Sequence, residues 1–144
     1  MKRVVLVVFV ATLACNPARD RRNKECGEWA DWSNHVGDPV AAAVPESEKL
    51  AAKTGEAQAA VCRKLATAAR KAAQTVIPFQ DPWVKDLATR FVKTWDGVAI
   101  ALDHQADAWS KGDKAAFEKA AREEMDAMAP RKALTDDWMN KCRL

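Results

Sequence analysis

Four cysteines are the residues of this chain best suited to covalent chemistry. They are Cys15, Cys26, Cys62 and Cys142. Their spacing contains neither C-x-x-C nor C-x-x-C-H, so it favours neither a zinc site nor covalent attachment of haem. A cysteine can instead form a disulfide or accept a lipid. Four cysteines allow two disulfides in three connectivities, whereas use of Cys15 for a lipid would leave three cysteines for pairing.

Histidine and methionine could together ligate a haem inside a helical bundle. His104 points away from the apolar stripe of its predicted helix, so we expect its side chain in solvent. His35 lies at the frayed end of the first predicted helix. Met125 and Met128 are expected on the core-facing side of the helix that contains them, where methionine fills gaps. Because both ligands of a haem must face inward, the pattern argues against a His/Met haem site, and no cofactor is predicted.

The acidic and hydroxyl side chains form no recognisable catalytic arrangement. Bundles that hold two metals use Glu-x-x-His pairs, and the sequence contains none, so we expect Glu123, Glu124 and Asp126 on a solvated face without metal. Ser33, Ser47 and Ser110 lie outside any G-x-S-x-G context. The sequence therefore predicts a protein that is not an enzyme.

The first fourteen residues have the three parts of an export signal. Lys2 and Arg3 are positive, residues 4–14 are almost entirely apolar, and the small Ala14 precedes the expected cleavage site. Eleven helical residues rise only about 16 Å, roughly half the hydrocarbon core of a bilayer, so this run is too short to span one. We interpret residues 1–14 as a signal peptide and expect the mature chain to fold where disulfides persist.

The segment Thr12-Leu13-Ala14-Cys15 resembles the lipobox of bacterial lipoprotein precursors. In that class a small residue precedes the cysteine that receives diacylglycerol. Thr12 departs from the usual branched aliphatic residue, and Leu13 is bulkier than the common choice. The resemblance covers the first fifteen residues alone and implies a lipid with palmitate on Cys15. Through Asn16 it implies the periplasmic face of the outer membrane rather than the inner one. The alternative is ordinary cleavage beside a cysteine that later forms a disulfide.

The polar segment NPARDRRNK follows Cys15 and has no apolar periodicity. We expect residues 15–24 to form a flexible, lipid-anchored tether to a single domain of residues 25–144. The basic side chains of the tether could touch anionic head groups, since a basic residue near such a surface contributes about 1 kcal/mol. A merely solvated spacer is the alternative, and we favour it.

Composition favours one helical domain. The chain has 23 Lys and Arg against 20 Asp and Glu, and loss of Lys2 and Arg3 with the signal peptide leaves 21 against 20. This balance lacks the basic excess of a nucleic-acid-binding protein. The chain has five Gly, six Pro and no Tyr, and no β-branched run beyond residue 14 is long enough for a sheet. We therefore predict an all-α fold, an antiparallel four- to five-helix bundle.

Apolar residues spaced by three and four positions predict the helices. The third helix is the best signalled, because Asp81 can cap it, Pro82 suits its first turn and a long apolar stripe follows. That stripe is Val84, Leu87, Phe91, Trp95, Val98, Leu102, Ala106 and Trp109. The predicted helices are residues 24–36, residues 47–75, residues 82–109, a helix capped by Asp113, and a last helix capped by Thr135 after a break at Pro130.

The first and last predicted helices carry similar tetrapeptides, DWSN and DWMN, with a cysteine near each. In an antiparallel bundle these helices are adjacent, which puts Cys26 and Cys142 at the same end. We therefore prefer a Cys26–Cys142 disulfide, with Cys62 a free thiol that packs as a small apolar side chain. A Cys26–Cys62 pairing is the alternative.

Six tryptophans are present, and most fit the predicted core. Trp83, with Phe79, could instead be an exposed anchor for an unknown protein partner, since tryptophan is enriched at binding hot spots. Taken together, the sequence predicts a non-catalytic envelope lipoprotein, an interaction or structural helical module bound to a membrane through its lipid. A bundle that binds a small ligand or b-type haem is the alternative.

Overall fold

The structure, a computed structural model, describes residues 16–50 and 54–142, and of residues 46–50 it describes the backbone alone. The predicted signal peptide and Cys15 lie outside these residues. No helix in the described ranges is long and apolar enough to cross a membrane. These ranges form six helices: α1 (Pro17–Val36), α2 (Asp38–Leu50), α3 (Gly55–Ala73), α4 (Pro82–Lys111), α5 (Lys114–Met128) and α6 (Pro130–Lys141).

The central element is α4, the longest helix, and its ends follow from local chemistry. The carboxylate of Asp81 accepts hydrogen bonds from the backbone N–H of Trp83 and Val84, and Pro82 occupies the first turn. Gly112 ends the helix in the left-handed region, with φ of 66°, a conformation that favours glycine. The predicted apolar stripe of this helix is confirmed, because its members are buried or partly buried.

The other helices are arranged around α4. Both α3 and α5 pack antiparallel to α4, and α2 packs on the outer side of α3. The α1 helix runs parallel to α4, with Arg22 beside Asp81 and Gly37 beside Trp95. After a break at Pro130, α6 continues from α5 along the first half of α4. The predicted all-α antiparallel bundle with a disulfide is therefore confirmed.

Three helices, α1, α3 and α6, begin at other residues than the sequence predicted, and α1 begins at Pro17 rather than at residue 24. The predicted helix of residues 47–75 is in fact α3, which begins at Gly55 with the Thr54 side chain as its cap, and a separate α2 precedes it. The last helix begins at Pro130, so the prediction of a Thr135 cap is wrong. The Thr135 hydroxyl lies inside α6 and donates a hydrogen bond to the Arg131 carbonyl.

Large side chains fill the half of the bundle near the start of α4, which we call the aromatic half. Trp29 stacks on Trp138 with ring centroids 5.4 Å apart, and Trp32 and Phe79 meet edge to face at 5.3 Å. Edge-to-face and stacked rings add to the free energy of burial. The buried and partly buried members of this half are Cys26, Trp29, Trp32, Ile77, Phe79, Trp83, Val84, Leu87, Ala88, Phe91, Leu134, Trp138 and Cys142.

Small side chains fill the other half, which we call the alanine half, where α3 and α5 flank the end of α4. The helices approach closely here: a Cβ built on Gly97 would lie 2.9 Å from the Cβ of Ala127. The buried residues of this half are Ala59, Cys62, Ala66, Ala99, Ala101, Leu102, Ala106, Ala108 and Ala120.

Arg131 lies where the two halves meet. Its guanidinium lies 3.6 Å from the centroid of the Trp95 ring and 5.2 Å from that of Phe91, and its Nε donates a hydrogen bond to the Thr94 hydroxyl. Burial lowers the pKa of this guanidinium to about 10. Arg131 therefore closes the aromatic half by covering two rings with a cation.

The α5 helix buries a different face from the one predicted. Met125 and Met128 were expected to face the core, but their side chains are 71% and 38% exposed. Ala120 is buried instead, and Ala127 is the residue in close contact with Gly97. Small residues on both helices allow the short distance between α4 and α5, which a methionine between them would prevent.

Candidate functional site at the N-terminal end of the bundle

The segment predicted as a flexible tether is helical in the structure. Asn16 caps α1 by accepting hydrogen bonds from the backbone N–H of Ala18 and Arg19, and Pro17 occupies the first turn. The side chains of residues 16–24 are exposed, which agrees with their lack of apolar periodicity. Residues 17–24 are therefore helical rather than flexible, because a good cap and a first-turn proline extend the helix beyond its buried part, and their role as the tether of a lipid anchor stays a prediction.

Four basic side chains project from this exposed segment. The Arg22 Nε lies 3.1 Å from an Asp81 oxygen, and the Lys24 ammonium lies 3.5 Å from Glu28. Arg19 and Arg21 have no acidic partner among the side chains that the structure describes, those of residues 16–45 and 54–142. The two arginines are therefore free to contact a negative surface outside the molecule.

A buried carboxylate fixes α1 to the start of α4. Glu25 accepts hydrogen bonds from the backbone N–H of Gln80 at 3.0 and 3.1 Å and from that of Asp81 at 2.8 Å. Its side chain is buried, so these bonds replace the water that the charge has lost. Glu25 carries no motif that predicts this role from the sequence. Its spacing of four residues from the buried Trp29 is the signal that could have found it.

The predicted disulfide between Cys26 and Cys142 is present. The two Cα atoms are 5.6 Å apart, and the bond joins α1 to the residue that ends α6. The Trp138 indole N–H donates to the Cys26 carbonyl at 2.9 Å, so the same two segments are also joined by a hydrogen bond. The disulfide and this bond hold the last helix against the first.

Cys62 is a free, buried thiol in the alanine half, which excludes the alternative Cys26–Cys62 pairing. It packs with Ala59 and Ala106. Burial is the main cause that raises the pKa of this thiol, and the charge of Glu124 raises it further. The side chain is therefore a weak nucleophile that serves as core.

The proposed partner contact of Phe79 and Trp83 does not form an exposed pair. Phe79 is only 2% exposed, because residues 74–81 fold back over α1, where the Trp32 indole N–H donates to the Val76 carbonyl. The prediction of an exposed Phe79 is therefore wrong. Trp83 is half-buried, and the Lys141 ammonium lies 5.1 Å from its ring centroid.

The histidines lie at the surface, away from one another. His104 is exposed and shares a 2.7 Å hydrogen bond with the Glu123 carboxylate, which lowers the pKa of that carboxyl. His35 is also exposed, and a hydrogen bond with the Asp31 carbonyl is the main cause that raises its pKa. With Met125 exposed as well, these residues form no inward-facing His/Met pair in the described part of the chain.

No cluster of three or more His, Cys, Asp or Glu side chains in the described ranges is arranged to hold a metal ion. Glu124 accepts a hydrogen bond from the Gln105 amide at 2.7 Å. The Ser33 hydroxyl donates to the Ala30 carbonyl, and the Ser110 hydroxyl accepts from Arg63. The Ser33 hydrogen bond lies within one helix, and the hydrogen bonds of Glu124 and Ser110 connect neighbouring helices.

The opposite end of the bundle contains an apolar recess of about 380 Å³. Trp109 and Phe117 meet there with ring centroids 4.8 Å apart, next to the Gly112 turn. Lys114 and Glu118 also line the recess, and their charged groups pair at 3.8 Å. The volume and lining are suited to a small apolar group.

Comparison of the chain with protein-family models, with curated proteins and with solved structures found no match.

Proposed function

We propose that this protein is a non-catalytic lipoprotein of the bacterial envelope, a helical module held at its N-terminal end on the periplasmic side of a membrane. Diacylglycerol on Cys15 is the anchor, and the outer membrane is the proposed location. The module acts by interaction or as a structural element, with a protein partner that is still to be identified.

The observation that carries the proposal is the position of Cys15 relative to α1. Cys15 directly precedes Asn16, the cap of a helix that runs without a break into the aromatic half. Glu25 and the Cys26–Cys142 disulfide then connect this helix to α4 and α6. An anchor at Cys15 would therefore be joined directly to the core of the domain. The end of the bundle opposite Cys15 would then face away from the membrane.

Expression in a Gram-negative bacterium with radioactive palmitate tests the proposal. The chain should incorporate the label, sediment with the membrane fraction and show an intact mass that lacks residues 1–14 and includes an acyl-modified cysteine. Cys15→Ser should abolish both the label and the sedimentation.

Cys62→Ala is the matched control, because it removes a cysteine far from the cleavage site. This variant should keep the label and the membrane association. An unlabelled, soluble native chain, or equal loss of label in the two variants, would contradict the proposal.

The recess at Trp109 and Phe117 supports a second candidate function, the binding of a small apolar ligand. The fluorescent probe 1-anilinonaphthalene-8-sulfonate should bind there, and Phe117→Glu should abolish its binding. Met125→Glu, at an exposed position outside the recess, should leave probe binding unchanged. Equal binding by all three proteins would contradict this candidate. The exposed position of His104 gives no support to the haem alternative.

A further inference from the structure

We propose that the N-terminal end of the bundle is a docking surface for an anionic lipid bilayer, with Arg19 and Arg21 as its main contacts. The inference rests on the proposed membrane location and adds a second, electrostatic contact that does not require the acyl chain. We call this surface the basic end and define it as residues 16–24, 81–85 and 138–142.

Three chain segments meet at the basic end. The ion pair between Arg22 and Asp81 places the start of α1 beside the start of α4. The contact of Lys141 with Trp83 places the end of α6 there as well. The start of α1 is also where the chain leads back to Cys15 and the apolar residues 4–14, so a membrane attached through either would lie at this end.

The charges at the two ends of the bundle are opposite in sign. The basic end has six basic side chains and two acidic ones, of which Asp81 is buried: Arg19, Arg21, Arg22, Lys24, Lys85 and Lys141 against Asp20 and Asp81. At the opposite end, residues 54–58 and 107–118 have two basic side chains and four acidic ones: Lys111 and Lys114 against Glu56, Asp107, Asp113 and Glu118. Attraction to an anionic surface therefore favours one orientation of the whole molecule.

The internal contacts leave the charge of the basic end available. Glu25 and Asp81 are buried and bonded to backbone N–H groups, and Asp81 also pairs with Arg22, so Arg22 contributes less to the exposed positive charge than Arg19 and Arg21 do. Arg19 and Arg21 have no acidic partner in the described residues. Because they lie on a helix rather than on a loose tether, they stay at fixed positions relative to the domain.

The size of the effect indicates what the surface does. Each basic residue close to an anionic membrane raises the partition coefficient by about fivefold at physiological ionic strength, and the effect falls off within a Debye length. A handful of such residues gives weak binding by itself. Added to an acyl anchor, which holds the domain at the surface, it is enough to set the orientation of the bundle.

Vesicle binding tests the inference. The chain from residue 15 with Cys15→Ser contains every described residue and carries no lipid. It should co-sediment with vesicles of phosphatidylethanolamine and phosphatidylglycerol at 3:1, and should not co-sediment with phosphatidylcholine vesicles. Binding should fall at least tenfold between 50 mM and 500 mM salt.

The variants assign the binding to the basic end. Arg19→Gln with Arg21→Gln should lower the partition coefficient at least tenfold at unchanged helicity, since neither side chain has a partner within the fold. Lys111→Gln with Lys114→Gln removes the same charge from the opposite end and should change it less than twofold. Equal losses in the two variants, equal binding to both kinds of vesicle, or tighter binding to duplex DNA than to the anionic vesicles would overturn the inference.

This outcome is independent of lipidation at Cys15. A native chain without an acyl group would overturn the proposed anchor while the vesicle result stood. A Cys15→Ser chain that does not bind anionic vesicles would overturn the proposed docking surface and leave the proposed anchor untouched.

Discussion

In the aromatic half of the bundle, the space between helices is filled by rings and large aliphatic side chains, whereas in the alanine half the helices nearly touch. Trp29, Phe79 and Leu87 are almost completely buried in the first region. In the second, Ala59, Ala66 and Ala106 have no exposed surface at all. Both regions exclude water. Large side chains fill the space between helices in the aromatic half, whereas small side chains let the helices pack closely in the alanine half.

Because of this difference, we expect opposite kinds of substitution to destabilise the two halves. Removing atoms from the aromatic half leaves a cavity, whose cost adds to the lost transfer free energy. Adding atoms to the alanine half forces helices apart, because most of the buried side chains there are alanines, which have no other rotamer by which to make room.

Loss of the disulfide should be the most damaging change. Replacing Cys26 and Cys142 together by alanine should lower the free energy of unfolding by about 4 kcal/mol, because the bond closes a loop of more than a hundred residues. Guanidinium unfolding measures the change. Cys62→Ala, in the alanine half, should cost about 1 kcal/mol, and similar losses in the two proteins would contradict the assignment of the bond.

Leu87→Ala in the aromatic half should cost about 3 kcal/mol, because Leu87 is fully buried and its neighbours can close the cavity only in part. The reverse change in the alanine half, Ala106→Leu, should cost about 2 kcal/mol by overpacking. Urea unfolding measures both. A neutral Ala106→Leu would show that α3 and α4 can separate freely and would break the proposed contrast.

Arg131 should matter through its stem and its position over two rings rather than through its charge. Arg131→Ala should cost about 2 kcal/mol because it uncovers Trp95 and Phe91. Arg131→Met keeps most of the covering surface and removes the cost of burying a cation, so it should cost less than about 1 kcal/mol. Thermal unfolding at pH 7 compares the two variants. Equal losses would indicate that the charge itself is required.

Gly97→Ala should destabilise the protein by about 1 kcal/mol, although alanine is the better helix former. The added Cβ would lie 2.9 Å from the Cβ of Ala127, and neither atom can rotate away. A double-mutant cycle with Ala127→Gly should give a favourable coupling free energy of about 1 kcal/mol. Additive effects would show that the α4–α5 distance adjusts without cost.

The smallest effect concerns Glu123 at the surface of the alanine half. The hydrogen bond with His104 holds the pKa of the Glu123 carboxyl below its usual value of 4.5. The stability that this pair contributes is present above that value and is lost as pH falls through the lowered pKa. An NMR titration of the carboxyl carbon should find a midpoint below 4.5, and His104→Ala should move it back. An unchanged midpoint would contradict the contact.

The sequence predicted the aromatic half well, because its signals are local. Trp29 and Trp32 follow Cys26 at helical spacing, and Asp81-Pro82 mark the start of α4. Antiparallel neighbours place cysteines at corresponding ends, so the disulfide followed from connectivity alone. Each of these predictions required the residues of only one helix or of one pair of neighbouring helices.

The alanine half was predicted less well, because alanine marks no particular face. In α5 the sequence offers a stripe of Phe117, Met125 and Met128 and another of alanines, and periodicity favours the larger side chains. Ala120 is buried and Ala127 is partly buried because the facing surface of α4 contains Gly97, Ala101 and Ala108. Which face of α5 is buried depends on the side chains of both α4 and α5.

Two other features were missed for different reasons. The α2 helix begins at Asp38-Pro39 and contains Pro45, and the sequence Gly37-Asp38-Pro39 is typical of a turn. Phe79, named with Trp83 as a possible exposed anchor, is buried because Glu25 accepts hydrogen bonds from the backbone N–H groups of its loop. A contact between segments more than fifty residues apart has no local signature.

The cross-link between Cys26 and Cys142 makes a covalent ring of almost the entire folded chain. A protease that cuts one peptide bond anywhere within that ring opens it without releasing a fragment. Only a cut between Cys15 and Cys26 separates the N-terminal residues from the remainder. If Cys15 carries the proposed anchor, release of the module by a single cut would therefore depend on the eleven peptide bonds between Cys15 and Cys26.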